Sequence, residues 1–162
     1  MTPPRPVTKL TRPEPNAIKV NVDGALFADG MMGIGVAIKD HDGRVLCSRA
    51  IYTTAKGDIQ GIEALAILVG LELASFCKVI HFCIESDASN VVKAINGQSF
   101  CFLSCCNVID DARSLASSFD ECNLSFVRRE GNNLAHSIAN SKGNWQDGIS
   151  SHLYTVTLSD LI

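Results

Sequence analysis

Apolar and polar residues alternate through Ile18, Lys19, Val20, Asn21, Val22 and Asp23, the two-residue period of a strand with one face in a core. A second run, Gly33-Ile34-Gly35-Val36-Ala37-Ile38-Lys39, reads as a strand whose glycines permit close packing. Asp40-His41-Asp42-Gly43 carries the chemistry of a hairpin turn, and residues 44–54 follow as a third strand. From Asp58 the period lengthens. Ile62, Leu65, Ala66, Val69 and Leu73 recur every three or four residues, with Asp58 placed to cap the amino end of a helix. Residues 79–84 form an apolar run, as expected of a strand covered on both faces. A short helix over residues 87–96 closes at Gly97, and a longer helix covers about residues 101–118. A last strand over 123–129 and a last helix over 132–141 complete the pattern.

The order β-β-β-α-β-α-α-β-α puts a helix between the third and fourth strands, which requires a right-handed parallel crossover. The expected class is α/β: a mixed five-stranded sheet, three strands antiparallel and then two parallel, with helices on both faces. Residues 3–15 hold all five prolines of the chain, so residues 1–17 read as an extended arm. A domain is expected over 18–145, followed by a tail over 146–162 to which the sequence assigns no role.

With 162 residues, 46% hydrophobic and 19% charged, the chain has the makings of one domain with a proper core. The net charge is −3, and it is unevenly spread: Arg5, Lys9, Arg12 and Lys19 stand against Glu14 alone, so the remainder is markedly acidic. A broad basic face of the kind that grips a duplex unaided is therefore excluded. The seven cysteines form no Cys-x-x-Cys pair and have no histidines at matching spacing, which favours reduced, buried thiols over a zinc site. No apolar run approaches the roughly 20 residues that span a bilayer. The first six residues lack the apolar middle of a signal peptide. The expected place is intracellular, in nucleus or cytoplasm, with no membrane partner and a monomeric state.

Three carboxylates fall at strand ends or helix starts: Asp23 in Val22-Asp23-Gly24-Ala25, Glu63 in Gly61-Ile62-Glu63-Ala64, and Asp87 in Glu85-Ser86-Asp87-Ala88. A cluster of acids is costly unless a cation neutralises it, and oxygen ligands suit Mg²⁺. Taken with the Gly-Ile-Gly-Val-Ala-Ile-Lys-Asp-x-Asp-Gly-Arg-Val-Leu hairpin and the element order, these motifs resemble ribonuclease H type 1, and more closely the RNase H-like domains of plant reverse-transcriptase-related proteins. The likeness covers residues 18–142. It implies hydrolysis of the RNA strand of an RNA–DNA hybrid with two divalent ions, Mg²⁺ or Mn²⁺, held by Asp23, Glu63 and Asp87. It also implies substrate contacts near Gly24, Ala25, Asn90, Arg128, Arg129 and Asn132, some of them to the 2′-hydroxyl.

Two departures qualify the likeness. The family's fourth acid belongs in an Asn-x-x-Ala-Asp-x-Leu-Ala stretch, and here Asn132-Asn133-Leu134-Ala135-His136-Ser137-Ile138-Ala139 puts His136 in its place. Imidazole suits Mn²⁺ better than Mg²⁺ and could relay protons, so His136 joins the catalytic candidates. The basic protrusion some members carry is also missing, since no Lys or Arg lies between Lys93 and Arg113. The expected activity is weakened and Mn²⁺-favouring. The rival reading is an inactive module of the same fold that binds nucleic acid or protein. A third, which concerns origin, is a free-standing remnant of a retroelement polyprotein, the arm then being the old junction to an upstream polymerase.

Overall fold

A computed structural model describes residues 17–55, 57–99, 105–142 and 154–156. Five strands form the expected mixed sheet: β1 (Ile18–Leu26), β2 (Met31–Lys39), β3 (Val45–Thr54), β4 (His81–Ser86) and β5 (Glu121–Phe126). A short strand from the tail, β6 (Tyr154–Val156), pairs antiparallel with β3 and extends the order to β5-β4-β1-β2-β3-β6. β1 runs antiparallel to β2 and parallel to β4, which is parallel to β5. Residues 1–16, and with them the proline-rich arm, lie outside the described residues, as do residues 143–153 and 157–162 of the tail.

The turn between β2 and β3 is closed by Asp40, whose Oδ1 accepts from the backbone N–H of Asp42 and of Arg44. Helix α1 (Ile59–Phe76) begins as expected, the Asp58 Oδ1 accepting from Gly61 N at 2.9 Å. By length and composition alone α1 could cross a bilayer. Here it is the core helix, burying Ile62, Ile67, Leu71 and Leu73 against the sheet.

Several boundaries shift for local reasons. α1 unwinds through Lys78, whose φ is +57°, while Val79 N–H bonds back to Ala74 O, so β4 starts at His81 and not at Val79. Helix α2 (Ser89–Ile95) starts two residues beyond Asp87: Ser86 Oγ accepts from Ala88 N–H, and the Asp87 side chain does not cap the helix. α3 (Cys106–Ser117) sends Arg113 to the carbonyls of Ala94 and Ile95, where a cation suits the carboxyl end of α2. β5 ends at Phe126, so Arg128 and Arg129 lead a single 3₁₀ turn (Arg129–Asn132) into α4 (Asn133–Ala139) instead of extending the strand.

Alternation in the strands divides the helices between the two faces. Val20, Val22, Ile34, Val36 and Ile38 join the large core under α1, α2 and α3. The opposite face carries Ala37, Ala50 and α4's Ile138. There β2 needs its glycines: a Cβ at Gly33 or Gly35 would fall 1.9 Å from Ala139 O or 2.2 Å from Ala135 O. Helix α4 lies with its backbone directly on the sheet.

Candidate active site

That close approach builds one side of the site. Asp23 of β1 stands opposite Gly35 of β2, and α4 lies over Gly35. His136, next to Ala135, therefore meets Asp23, with Nδ1 2.8 Å from Oδ2. The other side repeats the device: a Cβ on Gly24 would lie 2.8 Å from Ile62 Cγ2, so α1 rides close to β1 there. Glu63, next to Ile62, accepts the Gly24 N–H at 3.2 Å. Asp87 follows β4, the parallel neighbour of β1, just past the Val22–Ser86 pairing. One oxygen from each of Asp23, Glu63 and Asp87 lies within 4.8 Å of the others.

The electrostatics of the trio are strained in a specific sense. Burial, reinforced by the charges of Asp23 and Asp87, pushes Glu63 up to about 8. Burial also raises Asp23, which is 2% exposed, against the opposing hydrogen bond from His136. Two nitrogen-bearing side chains already reach in: His136 to Asp23, and Arg129, whose Nε lies 3.5 Å from Asp87 Oδ2. Because Nδ1 faces a carboxylate oxygen, it is the ring nitrogen that donates there. A compact all-oxygen donor set with one acid held protonated fits a hard divalent cation.

Behind the trio lies a buried polar network. Asn21 pairs with Glu85 across β1 and β4, and its Nδ2 donates to Glu85 Oε2 at 3.0 Å. Glu85 also meets Lys19 Nζ at 3.2 Å. Asn132, wholly buried, accepts from Asn21 Nδ2 and donates to Val22 O at 2.9 Å. The 3₁₀ turn before α4 is thus tied to β1 beside Asp23. Sequence reasoning missed this network; its only signal is that Asn21 and Glu85 occupy the same alternate face as Asp23.

Four of the expected substrate contacts have partners or packing within the fold. Asn132 is neither a side-chain cap nor a surface group, since its amide is committed to β1. Gly24 lacks a Cβ to admit Ile62, not a ligand, and its N–H serves Glu63; Ala25 is buried. Arg129 is paired to Asp87. Asn90 and Arg128 are exposed, and neither side chain has a partner among the described residues.

A family profile described as reverse transcriptase-like matches residues 21–142. The N-terminal RNase H domain of a Mycobacterium tuberculosis protein superposes with a TM-score of 0.71 at 22% identity, over 78% of this chain and 93% of that one. RNase H1 from Halobacterium salinarum gives 0.68 at 21% identity, over 78% and 96%. LC11-RNase H1, solved with an RNA/DNA hybrid, gives 0.68 at 21% identity, over 76% and 94%. No curated protein matches the chain by sequence.

Proposed function

The chain belongs to the reverse transcriptase-like family, and from that membership we propose that it hydrolyses the RNA strand of RNA–DNA hybrids, slowly, with divalent ions held by Asp23, Glu63 and Asp87. The observation that carries this reading is the convergence of those three carboxylates from β1, α1 and the end of β4. Similar folds solved with RNA/DNA hybrids, LC11-RNase H1 and a foamy viral protease-reverse transcriptase, support the substrate class. Ions bound there supply Lewis acidity at the phosphate and a more acidic attacking water.

The chain's own groups then have distinct tasks. Glu63, pushed up to about 8, would have to give up its proton to hold an ion. His136 Nδ1–H fixes Asp23 Oδ2. Arg129 holds Asp87, which would otherwise be free to hold an ion. Asn90 and Arg128 are free to meet the sugar–phosphate backbone. With imidazole in the fourth position, Mn²⁺ is the favoured ion.

Cleavage of a labelled hybrid in Mg²⁺ and in Mn²⁺ tests the reading. The parent should cleave slowly and faster in Mn²⁺, Asp23→Asn should lose about 100-fold or more, and His136→Asp should gain. Silence of both the parent and His136→Asp in either ion would discard it. One observation favours a non-catalytic binding module instead: His136 and Arg129 already occupy two of the three acids, so an ion would compete with them.

A further inference from the structure

Away from the carboxylates, two thiols touch. Cys47, buried in β3, and Cys77, partly exposed where α1 ends, bring their Sγ atoms to 3.5 Å, although 30 residues separate them in the chain. Both are reduced. Bond formation needs the sulfurs to close to about 2.05 Å, a shift of the size that small side-chain rotations supply. Each belongs to a different element, so a bond between them would staple the carboxyl end of α1 to the sheet.

We propose that Cys47 and Cys77 are a built-in modification site, a reversible intramolecular disulfide formed on exposure to a small-molecule disulfide. Cys77 is the more accessible sulfur and acts first. Burial and the adjacent Cys77 thiol push Cys47 up to about 12, so it does not attack the oxidant itself; its place 3.5 Å from the Cys77 sulfur assigns it the second step, inside the fold. The Cys77 thiolate attacks one sulfur of the oxidant, the S–S bond breaks, and one small thiol leaves. Cys47 then loses its proton and attacks the Cys77 sulfur, expelling the second small thiol. Two electrons pass from the protein thiols to the oxidant, and their two protons end on the released thiols. Glu63 sits near the opposite end of α1, so the staple reinforces the fold without touching the carboxylate site.

The test is incubation of the full chain with oxidised glutathione, followed by thiol titration, intact mass and peptide mapping. Two thiols should disappear, the mass should fall by about 2 Da, and a peptide linking Cys47 to Cys77 should appear. Melting temperature should rise by several degrees and return with dithiothreitol. Cys77→Ser should show no rise. A stable glutathione adduct, a linkage between other cysteines, a dimer, or no loss of thiols would overturn the proposal. Mapping on the parent chain decides the matter even if Cys47→Ala folds poorly.

Discussion

Glu63 shows how a single residue records its surroundings. Its carboxyl group titrates at about 8 because burial and two neighbouring acids disfavour its charge, whereas its ordinary value is 4.5. Between those values the folded chain keeps a proton that the unfolded chain has lost. Ion-free stability therefore falls as pH rises from 4.5 towards about 8, and Asp23 pushes in the same direction. Urea melts in EDTA over about pH 5 to pH 9 should show that decline, and Glu63→Gln should flatten it. A curve that rises over the window would contradict the burial argument. Asn132 works differently, through its hydrogen bonds. Asn132→Ala strands Val22 O and removes a partner of Asn21, so it should cost about 2–3 kcal/mol in a urea melt with an unchanged slope. The carboxylates were legible through their motifs. Their counter-charges were not, because Arg129 reads as a strand-end residue until the 3₁₀ turn brings it to Asp87.

At the scale of elements, two helices are set by the glycines beneath them. Gly35→Ala would drive a methyl group into Ala135 O and lift α4, drawing His136 away from Asp23. Since backbone is the obstacle, relief by rotamer change is unavailable, and the substitution should cost about 3 kcal/mol or more in chemical denaturation. It should also weaken the effect of any His136 substitution on cleavage. A neutral Gly35→Ala would mean that α4 does not rest on β2. These elements were readable because period decides them: the alternation in β1, the glycine-spaced β2 and the three-to-four spacing of α1 each specify a face. β6 was not readable, since a three-residue edge strand has too few positions for any period and gains its register only from β3. The early end of β5 was hidden too, because Val127, Arg128 and Arg129 continue a strand-like pattern past the point where the chain turns.

Charge belongs to the whole molecule. The chain is net −3, yet residues 1–19 are basic, so the body that holds the carboxylates is more acidic than the total suggests. An RNA–DNA hybrid approaching that body meets like charge, and the described residues offer few unpaired cations near the site beyond Arg128. Divalent ions at the trio reverse the local sign, so hybrid affinity should depend on them more steeply than in a protein with a basic face. Residues 1–19 hold basic charge that the body lacks. Replacing Arg5, Lys9 and Arg12 with Ala in the full chain should therefore weaken binding and flatten its dependence on log salt concentration by about 2–3. Fluorescence anisotropy in EDTA over a range of salt concentrations reads both quantities at once. Equal slopes for parent and triple variant would show that the arm makes no phosphate contact, and would leave the ion-filled carboxylates as the main attraction for the substrate.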